Sequence, residues 1–222
     1  MYVGKFGIYV FGLIAFWTSS HSARACEIDE AMIPRRHKMI HNILSNHLSP
    51  PGRGDVIFRS VRILETEEQL LEEINAPDDN LKLEVGAAGR PLCDGRNTLF
   101  IDAIETHLAA TREVFLGHAI LPEFRVAFAS RIPHVHNATI TRVVAKNIPL
   151  PLMDIEGTLI EFNRILTVLG KVFFIANMPE PDFQERTAQW FQPVLKIAET
   201  LGFHVQYFVT PQWSGIILTK RP

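Results

Sequence analysis

An excess of charge of one sign is what this sequence most conspicuously lacks. Lys+Arg number 22 against Asp+Glu 24, a formal net charge of −2. With no basic surplus to neutralise a run of phosphates, charge does not suggest a nucleic-acid partner. Cysteine is scarce too: the 2 present, Cys26 and Cys93, make no C-x-x-C pair, so a local thiol-redox motif is excluded. There is no G-x-S-x-G elbow and no P-loop, which leaves hydrolase and kinase readings without local support. No repeat of solenoid or propeller period is visible. What is present, 47% hydrophobic and 21% charged residues in a chain of 222, is the balance of a globular protein that buries one core.

The first residues stand apart. Met1 to Lys5 carries the start amine and one lysine, Phe6 to Trp17 is apolar, and Thr18 to Ala25 is small and polar, ending Ala23-Arg24-Ala25. This is the three-part layout of a secretory signal peptide with an A-x-A cleavage site. The apolar run is short of the roughly 20 residues a membrane span requires, so no stable span is expected after cleavage; an uncleaved anchor is the competing reading. Loss of Lys5 and Arg24 leaves 20 basic and 24 acidic residues, or −4. The expected location is secreted or periplasmic, an oxidising space in which Cys26 and Cys93 are able to pair. Cys26 directly after Ala25 also allows a lipoprotein reading, but Ala23 and Arg24 depart from the usual Leu-small-small-Cys signal. Residues 26–80 read as an N-terminal extension with helices, and 81–222 as the main domain.

Periodicity then alternates between helix and strand. Glu65 to Ile74 spaces Leu70, Leu71 and Ile74 as a helix does. Leu81 to Val85 is a short apolar run stopping in Gly86-Ala87-Ala88-Gly89, a buried strand opening into a tight turn. Thr98 to Ile101 ends on Asp102. Further strands are expected at 124–129, 139–145 and 171–176, with helices at 153–166 and 185–201, the second stopped by Gly202. The chain closes with strands at 204–209 and 215–219, an antiparallel hairpin expected at the sheet edge. The remaining strands should be mostly parallel, with helices on both faces.

In open sheets of this kind ligands bind beyond the carboxyl ends of the strands. That directs attention to Glu84, Gly86, Ala87, Gly89 and Asp102. Gly86 lets backbone approach a ligand that a Cβ would repel, and an acid at the end of the second strand accepts hydrogen bonds from ribose hydroxyls. His37/His41 and His134/His136 lack a third ligand at a recognisable interval, so no metal is expected. Asn137-Ala138-Thr139 matches a glycosylation acceptor, a match that chance also supplies.

Four segments in order carry a family resemblance: LKLEVGAAGRPL, FIDAIET, EFNRILTVLGKVFFI and GFHVQYFVTPQWSGIILTKRP. They resemble the first motif, second-strand acid, E-x-x-R-V-L-K-P-G-G segment and closing hairpin of the class I S-adenosylmethionine-dependent methyltransferases. The third is the most specific, reproducing Glu161, Arg164, Leu166, Gly170 and Lys171 together. The resemblance implies an α/β, Rossmann-like fold with a mostly parallel seven-stranded sheet and an antiparallel C-terminal hairpin, and makes 81–222 a methyltransferase-like domain. It implies S-adenosylmethionine as cofactor, with Glu84 and Gly86 at its methionine end, Asp102 on the ribose and Ser130 facing the adenine. Lys146-Asn147-Ile148-Pro149-Leu150 resembles the family's Asn-x-Pro-aromatic motif, which implies Asn147 as a substrate-binding residue, with Leu150 unable to stack as an aromatic would. Ala88 and Arg90 replace two of the usual glycines, Thr167-Val168-Leu169 stands for Lys-Pro-Gly, and the third-strand acid is missing. The expected function is methyl transfer to an acceptor, small molecule or protein, with catalytic residues unassigned. The alternative is a secreted, catalytically inactive methyltransferase-like binding domain.

Overall fold

The structure is a computed structural model that describes residues 61–77, 80–120, 122–148, 154–177 and 183–222, all in one compact unit. The residues expected to form a signal peptide, Cys26, His37, His41, Pro149 and Leu150 lie outside the described residues. Among the described residues no helix is long and apolar enough to cross a membrane.

Among the described residues eight strands form one sheet: β1 (Val61–Ile63), β2 (Leu81–Val85), β3 (Thr98–Asp102), β4 (Glu123–Val126), β5 (Ile140–Lys146), β6 (Leu166–Asn177), β7 (Phe203–Val209) and β8 (Trp213–Lys220). The helices are α1 (Glu67–Ile74), α2 (Glu105–Val114), α3 (Ile155–Ile165) and α4 (Phe183–Thr200). The spatial order is β1-β7-β8-β6-β5-β2-β3-β4. All pairs are parallel except those that β8 makes with β6 and β7.

Both faces of the sheet are buried, which is why its central strands read as unbroken apolar runs. On one face Leu83, Val85, Ile101, Val143 and Phe174 pack under Leu159, Phe162 and Ile165 of α3 and Val194, Leu195 and Ala198 of α4. On the other, Phe100, Val144, Phe173 and Ile217 pack under Leu70 and Ile74 of α1 and Leu108 of α2.

The expected seven-stranded sheet is present, and β1 adds an eighth strand. The closing hairpin is not at the edge as the sequence suggested. β8 inserts between β6 and β7, and β1 then covers β7. The insertion needs Gly215, since a Cβ there would run into the Phe174 carbonyl and stand 2.8 Å from the Phe208 ring. α2 carried no clear periodic signal because only Leu108 and Thr111 on it are buried.

The E-x-x-R spacing proves to be a clamp. Arg164 donates to Glu161, to the Val135 and Ile132 carbonyls and to Asn137 Oδ1, while Glu161 Oε1 accepts the Ile132 N–H at 2.6 Å. One turn of α3 thereby satisfies the backbone of the loop that leads into β5. Lys171, from the same segment, reaches across to Glu73 of α1 at 2.6 Å.

Candidate functional site

The chain order reverses at β2, which lies between β3 and β5, and a sheet of this type offers its ligand crevice at that switch point. Gly86 leaves β2 at φ +69 and donates its N–H to the Ile101 carbonyl at 2.9 Å. Its Cβ position faces the Ile148 side chain, just past β5, at 3.7 Å. The Asp102 carbonyl accepts the Ala127 N–H at 3.0 Å, bringing the end of β4 alongside, and Ser130 lies half-buried in the turn that follows. Thus the residues after β2, β3, β4 and β5 that the sequence singled out do share one end of the sheet.

Their individual surroundings differ. Asp102 is 8% exposed. Its Oδ1 accepts the Ile104 N–H at 2.9 Å, and Oδ2 lies 3.3 Å from Nδ1 of His107. A carboxylate offers about four acceptor sites, so both oxygens retain capacity for a diol. Ala87 is half-buried against the α1/α2 face of the core. Gly89, at φ +78, is committed to packing: its N–H donates to Thr111 Oγ1 at 3.0 Å, and a Cβ would stand 3.3 Å from the Ala110 methyl. Asn147 also adopts a left-handed conformation, φ +53, and its N–H donates to the Ile175 carbonyl at 2.8 Å.

Glu84 turns away from the loop surface. It is 1% exposed and accepts the Leu92 N–H on both oxygens, at 2.9 and 3.0 Å, and the Cys93 N–H at 2.8 Å. Burial pushes its carboxyl up to about 7, against the opposing pull of these hydrogen bonds and of Lys146. Cys93 is buried as well, and its thiol is pushed up by burial and by the Glu84 charge.

These bonds explain an unusual feature of the β2–β3 crossover. Residues 86–97 connect two parallel strands without a helix, at the short limit of about a dozen residues for such a connection. Side chains replace the missing helical bonds. Besides Glu84, Asn75 donates to the Leu92 carbonyl and accepts from the Asp94 N–H. The buried Lys82 pairs with Asp94 at 2.8 Å. No helix N-terminus therefore faces a ligand at Gly86, although such a terminus commonly receives anionic groups in nucleotide-binding folds.

Sequence reasoning passed over Lys146 and Trp213. Lys146 ends β5 and is half-buried, with its ammonium 4.7 Å from the centre of the Trp213 ring. Desolvation holds it below the usual lysine range, opposed by Glu84. Its position directly before Asn147 was the available signal. Among the described residues, no group of three His, Cys, Asp or Glu side chains is placed to hold a metal ion.

No family model and no curated protein sequence matches the chain. Solved structures do match. A SAM-dependent methyltransferase from Aquifex aeolicus superposes with a TM-score of 0.55 at 18% identity, over 68% of this chain and 88% of that one. YcgJ from Bacillus subtilis gives 0.52 at 10% identity, over 70% and 97%. A geranyl diphosphate methyltransferase bound to sinefungin gives 0.50 at 10% identity, over 70% and 77%. The fold is that of the class I methyltransferases. At these identities the likeness fixes architecture, and a methyltransferase fold assigns chemistry only through its site.

Proposed function

We propose that the chain binds S-adenosylmethionine at the carboxyl ends of β2 and β3 and transfers its methyl group to an acceptor held beside Asn147. The observation that carries this reading is the convergence, at the switch point of this fold, of a glycine turn in the left-handed conformation and a strand-ending carboxylate with spare acceptor capacity. Bound there, the cofactor supplies a methyl group on a sulfonium, which is already an activated donor. Asp102 accepts hydrogen bonds from the ribose hydroxyls, held in place by Ile104. Gly86 and Ala87 bring backbone close to the methionine part, and Ser130 lies toward the adenine. Glu84 acts through the crossover it anchors rather than by touching the ligand. Asn147 orients the acceptor, so that alignment supplies most of the rate.

Calorimetric titration with S-adenosylmethionine tests the reading. Asp102→Asn keeps an oxygen for the Ile104 N–H but loses the charge-assisted bonds to the diol, worth about 1.5–3 kcal/mol, so affinity should fall about ten- to a hundredfold. Asn147→Ala should retain binding and lower transfer. An unmodified chain that takes up no S-adenosylmethionine at millimolar concentration refutes the enzyme and leaves a binding domain that only shares the fold. The N-terminal layout supports export with cleavage after Ala25; a secreted chain whose sequence begins before Cys26 contradicts it.

A further inference from the structure

β1 and β4 are the two ends of the sheet, and β4 pairs only with β3 among the described residues. Its side chains are open: Glu123 and Arg125 are 54% and 53% exposed, and Val126 is 55% exposed. The hydrogen-bonding phase of this strand follows from one bond. Ala127 donates inward, to the Asp102 carbonyl. Successive residues of a strand turn their N–H and C=O groups to opposite sides, so Glu123 and Arg125 also face β3, whereas Phe124 and Val126 direct theirs outward. Two outward-facing residues on an edge that no described strand covers are a template for another strand.

We propose that β4 pairs antiparallel with β4 of a second copy of this chain, about a two-fold axis at Phe124, joining two sheets into one. The sequence of the strand selects both partner and register. With the axis at Phe124, the two Phe124 residues exchange both backbone hydrogen bonds. Glu123 then stands opposite Arg125 of the second copy, and Arg125 opposite its Glu123. These are non-hydrogen-bonded positions, where facing side chains come closest and opposite charges contribute most. Val126 faces Pro122 of the second copy and donates to its carbonyl. Pro122 has no N–H to return, so the ladder ends there. An axis at Glu123 or at Arg125 instead sets like charges against each other.

Within one chain Arg125 Nε already donates to Glu123 Oε1 at 2.7 Å, so pairing two copies closes four charges into an alternating ring. Charges on an edge strand ordinarily repel other chains. Here they repel in the registers centred on Glu123 and Arg125 and attract in the one centred on Phe124, whose two-fold axis makes the contact isologous and closed rather than fibre-forming. The contact is small, so the dimer is a weak, reversible one.

Sedimentation equilibrium on the full chain, up to about 200 µM as suits a weak interface, tests this. The unmodified chain should dimerise reversibly. Glu123→Arg and Arg125→Glu should each be monomeric, with association weakened at least tenfold, and with unchanged circular dichroism. An equimolar mixture of the two single variants should dimerise again, because each strand then faces its charge complement, and the double variant E123R/R125E should dimerise alone. A chain that stays monomeric at the highest concentration overturns the proposal. So does a dimer indifferent to the single reversals, or a mixture that fails to reassociate.

Discussion

Replacing Glu84 by glutamine should change the pH dependence of stability in a direction fixed by the structure. The carboxyl has an ordinary value of 4.5 and is pushed by burial to about 7 in the folded chain. An acid whose folded value is raised binds its proton more tightly folded than unfolded. Its contribution to stability is therefore complete below about 4.5 and is lost as pH rises through about 7. At about 1.4 kcal/mol per pH unit, the interval 7 − 4.5 = 2.5 corresponds to a loss of about 3 kcal/mol across that window.

Glutamine carries no such proton. Its amide oxygen can still accept the Cys93 and Leu92 N–H groups, although its amino group meets the Leu92 N–H on the other side. That mismatch costs about 1–3 kcal/mol at every pH. The readable quantity is therefore the difference between the two proteins. Urea denaturation from pH 4.5 to pH 8 should show Glu84→Gln less stable at the acid end and gaining on the parent by about 3 kcal/mol toward the alkaline end. Glu73, Asp94 and Glu161 are held low by their cationic partners and hydrogen bonds despite partial burial, but they are common to both proteins and cancel in the difference. Two parallel curves would refute the reasoning. A deficit of the variant that widens toward alkaline pH would mean that the Leu92 and Cys93 bonds outweigh burial and hold the carboxyl low.

Two further substitutions probe the fold. Gly215→Ala places a methyl into the Phe174 carbonyl and beside the Phe208 ring, and should destabilise by about 3 kcal/mol or more; a Tm within a degree or two of the parent would show that β8 shifts to accommodate it. Leu169 sits at φ +64 and is 64% exposed. Leu169→Gly releases about 1–2 kcal/mol of left-handed strain against about 0.5–1 kcal/mol of added chain entropy, so a small rise in Tm is expected and a fall would be the contrary result.

The central strands were legible because burial on both sides leaves no polar alternation to confuse their limits. Leu81–Val85 and Thr98–Asp102 have the bounds that their apolar runs and terminal Gly86 and Asp102 suggest. The Glu161/Arg164 spacing was legible as a pattern, but its work, holding the 132–137 loop, becomes visible only when that loop returns to α3. α2 and β1 were not legible. α2 buries too little to show a period, and β1 owes its strand conformation to β7, which follows it by more than half the chain. For the candidate site residues, the place in the fold was legible and the orientation of the side chains less so. A carboxylate near the end of a strand can point into a crevice or under a loop, and nothing local to Glu84 decides between them. Its direction is set by Leu92 and Cys93, whose N–H groups have no helix to enter.

That last point ties the site together. A crossover helix would satisfy its own backbone and present its N-terminus to a ligand. This chain does neither, and recruits Glu84, Asn75 and Lys82 to hold the loop instead. The residue directly before the Val85-Gly86 step is thus at once a structural tie and a group whose charge changes near neutral pH. When Glu84 ionises, its bonds to Leu92 and Cys93 strengthen as charge-assisted ones, while the cost of the buried charge is opposed by Lys146 on the neighbouring strand. Lys146 in turn precedes Asn147. The Gly86 loop and the strand that ends at Lys146 are therefore electrostatically coupled through the Glu84–Lys146 pair. A shift of the Glu84 titration on addition of S-adenosylmethionine is the sign by which that coupling can be recognised.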